Sequence, residues 1–227
     1  IGVRLVGSEM CIRDSIWGES AQSIETAVNS GGNINYLKLA DGDIKKVRIL
    51  GTLADGLMLR GWLSFGLDSK PIYKTINETI PPEMLGNDKW GAPQKIWEFW
   101  SFPIWNHMEG RVQIWEIRQK SIQKKLFELT NPKQPNQQWT DWRNYDLEIR
   151  FNKSAVPAQM YQLQTYPPEN LSDVILANLK TILPQIKMTG LFNGVDPMEG
   201  IQQEPMQQQA AQTIPFSEQI GQFKTQI

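Results

Sequence analysis

Residues 95–119 read as a β-hairpin, and that hairpin constrains the rest of the chain. Two runs rich in aromatic and β-branched residues, KIWEFWSFPIW and RVQIWEIRQ, flank the polar segment Asn106-His107-Met108-Glu109-Gly110. Between Lys95 and Lys125 fall Trp97, Phe99, Trp100, Phe102, Trp105 and Trp115. Lys95, Arg111, Arg118, Lys120, Lys124 and Lys125 are interleaved with them. Flat aromatic faces offer stacking platforms for bases, and cations offer partners for phosphates. A single-strand nucleic-acid groove needs both.

Parity then sorts the side chains. With Trp105 set opposite Arg111, Ile104 faces Val112, Phe102 faces Ile114, Trp100 faces Glu116 and Glu98 faces Arg118. That face runs from apolar to paired charge and suits a core. The opposite face carries Lys95, Trp97, Phe99, Ser101, Trp105, Arg111, Gln113 and Trp115, and is expected to be wet. A slip of one residue would redistribute every one of these side chains.

The neighbouring segments keep the two-residue period. IKKVRIL (44–50) and LMLRGWLSF (57–65) read as strands, the latter with Arg60 and Trp62 on one side and Leu57, Leu59, Leu63 and Phe65 on the other. Residues 66–94 form a Pro/Gly/Asn-rich excursion anchored by Tyr73 and Trp90. Residues 121–130 read as a helix with Ile122, Leu126 and Leu129 inward. A polar loop follows over 131–144, then strands at 145–151 and 159–165 and a helix over 171–183 stopped by Pro184. This pattern predicts a mostly β fold with a few helices, an OB-fold-like five-stranded Greek-key barrel. A jelly roll or small sandwich competes with it.

Four regions are expected. Residues 1–15 include VGSEMCIRDS, which resembles the translation of a sequencing adapter, and they are set aside along with Cys11. Residues 16–33 read as an arm or short helix, 34–190 as the folded domain, and 191–227 as a disordered Gln-rich tail. The true start of the protein is expected to lie outside the sequence.

Several chemistries find no support. A single cysteine allows neither a disulfide framework nor a Cys-based zinc site. No apolar run approaches the roughly 20 residues of a membrane span, and no secretory leader is evident, so a cytoplasmic setting is expected. There is no P-loop and no GxGxxG. The only histidine, His107, reads as a solvated turn residue, and Asp41 and Asp43 read as turn formers. The expectation is a protein without catalytic residues, metal or cofactor.

Charge and aromatic content support a binding surface instead. Residues 36–153 carry 18 Lys/Arg against 14 Asp/Glu, while both flanks are acidic. Tryptophan packs in cores more often than not, but the chain has nine, and alternation moves Trp62, Trp97 and Trp105 toward a groove. The expected binding set is Arg48, Arg60, Trp62, Lys95, Trp97, Phe99, Trp105, Arg111, Trp115, Arg118, Lys120 and Lys124.

An ordered series of motifs carries a family resemblance. YLKLADGD (36–43) followed by KVRIL, then the run from Lys95 to Leu126, then YDLEIRF (145–151) and Tyr166-Pro167-Pro168, together resemble phage single-stranded DNA-binding proteins of the helix-destabilising type. The match spans about residues 34–185. It implies an OB-fold that coats single-stranded DNA during phage replication, recombination and repair. The implied partners are phage replication or recombination proteins and further copies of itself along the strand. The chain departs from the T4-type pattern, since one Cys and one His cannot build its zinc subdomain, and its tail is only weakly acidic. Two other classes stand beside this one: a carbohydrate-binding β-sandwich module, and a phage structural or assembly protein whose aromatics make subunit contacts.

Overall fold

The computed structural model describes residues 35–130, 141–156 and 159–206. Period-two alternation becomes seven strands: β1 (Ile44–Ile49), β2 (Leu59–Phe65), β3 (Pro71–Thr75), β4 (Trp97–Asn106), β5 (Arg111–Ile117), β6 (Tyr145–Phe151) and β7 (Tyr161–Pro168). Among the described residues two α-helices accompany them, α1 (Lys120–Thr130) and α2 (Asp173–Ile182). Every strand pairing is antiparallel, in one sheet of order β3-β2-β4-β1-β6-β7, with β5 on the other edge of β4. The mostly β expectation is met. The sheet has seven strands where five were expected, the 66–94 excursion supplying β3, and no pairing among the described residues closes it.

β4 organises the molecule. β2 pairs with its residues 97–101 and β1 with its residues 104–106, both on the edge away from β5. β1 and β2 therefore run end to end, and the chain leaves that edge between them over residues 50–58. Pro103 sits mid-strand, where a missing N–H would normally cost a ladder bond. Its cross-strand partner Ile114 spends its own N–H and C=O on Asn35 and Leu37, so Pro103 and Ile114 are a non-hydrogen-bonded pair. The Pro103 backbone thus faces the gap between β1 and β2. Its carbonyl accepts from Leu50 there, and no donor is called for.

The sheet buries both faces of β4. On the first, Val47, Ile49, Phe102, Ile104, Trp115 and Leu147 pack with Ile122 and Leu126 of α1. Phe102 meets Trp115 edge to face at 5.6 Å, and Trp142 closes the cluster while donating Nε1–H to the Gly51 carbonyl at 3.0 Å. On the second face, Leu63, Phe99, Trp105, Val112 and Ile114 pack under Leu179, Ile182, Met188, Leu191 and Met198. Each fully buried side chain of this size contributes about 1.5–3 kcal/mol.

Two expectations change here. The hairpin register is shifted by one: Phe102 faces Trp115, Trp105 faces Val112 and Asn106 faces Arg111. Asn106 causes the shift. Its side-chain oxygen accepts from the Met108 and Glu109 amides, and Gly110, at φ +60°, donates to its carbonyl. Asn106 thereby joins the strand instead of the turn. The second correction concerns the C-terminal boundary, because residues 191–206 belong to the fold. Gln203 holds the free edge of β5 by donating to Val112 O at 3.1 Å and accepting from Val112 N at 2.9 Å. Met206 N–H donates to the Gly110 carbonyl at 2.9 Å. The Gln203 amide here takes the place of a paired strand at Val112. The expected adapter remnant (1–15), the arm (16–33) and the tail beyond residue 206 lie outside the described residues.

Candidate functional site

Alternation on β1 places Arg48 opposite Asp146 of β6, and both are buried. Arg48 Nε donates to Asp146 Oδ1 at 2.5 Å, and its Nη1 donates to the carbonyls of Arg143 and Glu169. Asp146 also meets Lys46 Nζ and His107 Nε2, each at 3.0 Å. Burial alone would raise the Asp146 pKa, but hydrogen bonds from His107, Arg48 and Lys46 outweigh it and hold the carboxyl well below the usual range. Arg48 is thus a structural tie. His107 is not a purely solvated turn residue either, since it closes this cluster.

The expected aromatic row is divided by the sheet. Phe99 and Trp105 lie on the second face, sealed by the segment 171–206, with Trp105 only 2% exposed. Trp115 and Phe102 share the first core. Arg111 turns to Glu109 at 3.8 Å. Trp97 is half-buried against Phe65, edge to face at 6.2 Å. Lys95 is exposed beyond the start of β4, and its carbonyl accepts from Ser64. Arg118 lies 3.6 Å from Glu116. The single solvent-facing wall of indoles expected from parity does not form, because the C-terminal helix and the first part of the expected tail cover half of it and the register moves the other half inward.

A smaller wall survives on the outer part of the first face. Trp62 is half-buried, and its Nε1–H donates to the Ile76 carbonyl at 3.1 Å. Its direct cross-strand neighbours are Lys74 on β3 and Glu98 on β4. Glu98 accepts from Arg60 Nε at 2.6 Å, Trp100 Nε1 at 3.0 Å and Lys120 Nζ at 2.5 Å. Burial works against its charge, yet the donors Lys120, Trp100 and Arg60 prevail and hold its pKa down to about 2. Lys124 follows Lys120 by one helical turn and is exposed. Of the expected set, this brings together Arg60, Trp62, Lys120 and Lys124. Lys74 is an addition, found through pairing with the β3 strand that the sequence reading had as irregular.

A cleft of about 330 Å³ opens beside the end of β5. Tyr36, Tyr73, Glu116, Arg118 and Gln119 line it, with Leu63 and Leu191 among its apolar residues. Tyr73 O–H donates to Glu116 Oε2 at 2.8 Å. Burial, with Glu116 beside it, pushes the Tyr73 hydroxyl well above the usual phenol range. Burial followed by Asp196 and Glu116 does the same to Tyr36. Both remain neutral donors at physiological pH. Of the cleft residues Trp115 and Arg118 belong to the expected binding set; the others come from separate segments that only the topology joins.

Trp90, expected as an anchor, is instead 60% exposed. It sits where Asp88 Oδ1 accepts from the Trp90 and Ala92 amides, with Lys89 Nζ 4.4 Å above its ring. Among the described residues no cluster of three or more His, Cys, Asp or Glu could hold a metal ion, and no helix is long and apolar enough to cross a membrane. No family model, curated protein or solved structure matches the chain.

Proposed function

We propose that the protein binds single-stranded DNA without strong sequence preference and without catalysing a reaction, using the outer wall of β2, β3 and β4 with the start of α1. The observation that carries this reading is Trp62. Its indole is fixed by the Ile76 hydrogen bond and half open to solvent. Lys74 borders it on one strand, and Arg60 and Lys120 meet at Glu98 on the other side. A ring already held in place loses little freedom when a base stacks on it, and such a stack is worth about 1–3 kcal/mol. The bordering cations supply the phosphate term.

The resemblance of the motif series to phage single-strand binders supports the same reading, and it suggests the setting: coating of single strands during phage replication, recombination and repair in the host cytoplasm. The fold is compatible with an OB-fold-like half-barrel, since β5 and β7 lie on opposite sides of β4 yet Trp115 and Leu163 both pack on the first core. The platform is narrower than the sequence implied, so affinity rests on few stacks and on charge.

Titration of tryptophan fluorescence with oligo-dT at rising salt tests the reading. Quenching is expected at low salt, with an affinity slope of roughly −0.7 per phosphate neutralised. Equal binding of duplex, or affinity indifferent to salt, sinks it; the latter would favour sugar stacking over nucleic acid.

A further inference from the structure

The cleft beside β5 has the attributes of a site for one small ring. Its volume of about 330 Å³ lies at the lower end of the range for ligand pockets. Leu63 and Leu191 give it apolar surface, and Tyr36 and Tyr73 are aromatic groups that can pack against a ring. Polar groups of both kinds converge on it. Glu116 offers an acceptor: one oxygen takes the Tyr73 hydroxyl, while the other lies 3.6 Å from Arg118 Nε, beyond a good hydrogen bond. Arg118 and Gln119 offer donors, and Lys38 is an exposed cation on the lining.

We infer that this cleft receives one unstacked base of the bound strand, with cytosine favoured over thymine, and that Arg118 or Lys38 meets its phosphate. The inference rests on the single-strand binding reading. The preference follows from the carboxylate. Cytosine and thymine have nearly the same shape, but cytosine presents an amino donor at C4 where thymine presents a carbonyl acceptor. An amino group satisfies the remaining Glu116 oxygen. A carbonyl in its place sets two acceptors against each other, and burial makes that mismatch costly. Trp62, on the other wall, makes no such distinction because every base has a stacking face.

The test compares oligo-dC with oligo-dT on the wild-type chain and on Glu116→Gln, together with nuclear magnetic resonance titration of the tyrosine ring signals by dCMP and dTMP. One hydrogen bond's difference predicts roughly three- to tenfold tighter binding of oligo-dC. Glu116→Gln should bring that ratio close to one, weakening oligo-dC and relieving the clash of acceptors with oligo-dT. Lys38→Gln, at an exposed position, should weaken dCMP binding without disturbing the fold. Equal wild-type affinity for the two oligomers, or a ratio that survives Glu116→Gln in folded protein, overturns the inference while the single-strand reading stands. Should neither oligomer bind, that reading fails. The cleft is then judged by dCMP alone: tyrosine shifts with dCMP and not dTMP uphold it as a nucleotide site, and their absence removes it.

Discussion

Arg48 Nε lies 2.5 Å from Asp146 Oδ1, and both side chains are closed off from solvent between β1 and β6. In sequence Arg48 is indistinguishable from a groove cation, one polar residue between Val47 and Ile49. In space its guanidinium is used up by a carboxylate and two backbone carbonyls. A buried charge so satisfied contributes to uniqueness of the fold, and removing one side of it strands the other.

Arg48→Gln should therefore act on stability and leave binding alone. The expected loss is about 3–5 kcal/mol, the range for breaking a buried ion pair. Lys46 and His107 still face Asp146, which favours the lower end. Urea unfolding reads the loss. Oligonucleotide affinity, corrected for the folded fraction, should match wild type, and a tenfold drop would return Arg48 to the binding surface.

Trp62 and Trp105 should separate in the opposite sense. Trp62→Ala removes a half-open platform, so oligo-dT affinity should fall by about 1–3 kcal/mol with little change in melting temperature. Trp105→Ala opens a cavity in the second core and should cost about 3–5 kcal/mol of stability. Paired melting and titration curves check both. The site assignment is wrong if Trp105→Ala, still folded, loses more affinity than Trp62→Ala.

The contrast shows which information the sequence carries. Period-two runs such as YDLEIRF fix strand existence to within a residue or two, since alternation is a local property. The hairpin register depended on whether Asn106 joins the turn, and its side-chain capping of Met108 and Glu109 decided that. The covered second face was harder to foresee. Alternation tells which side chains share a face, but it does not tell what packs on that face. The cover here is Leu179 to Met198, partly within a segment whose glutamines read as tail. The cleft was not legible at all, because Tyr36, Tyr73 and Glu116 come together only through the topology.

Acid should weaken the Trp62 wall through Glu98. Its pKa falls from the ordinary 4.5 to about 2 in the folded protein. A depressed carboxyl contributes stability that is complete above about 4.5 and is lost as pH drops toward 2. Asp146 acts in the same direction. Glu98→Gln should lower stability near neutrality and flatten the decline between those pH values. Chemical unfolding at pH 6, 4 and 3 measures the slope, and an unchanged acid limb would show that Glu98 is not a linked group.

Gln203 gives the clearest test of the C-terminal cover. Its amide supplies both a donor and an acceptor to Val112, the role a paired strand would play, so Gln203→Ala leaves two backbone groups of β5 without that partner. The cost should be about 1–3 kcal/mol, toward the lower end where water reaches the edge. Hydrogen exchange locates it: the Val112 amide should lose protection, while the Ile114 amide, bonded to the Asn35 carbonyl, keeps it. Gly110→Ala should be worse than Gln203→Ala, because φ is +60° there and an added Cβ would lie 2.0 Å from the Met206 carbonyl oxygen. If both substitutions leave melting and exchange unchanged, residues 203–206 do not seal β5 in solution. The second face of the hairpin would then be open to a ligand at that end.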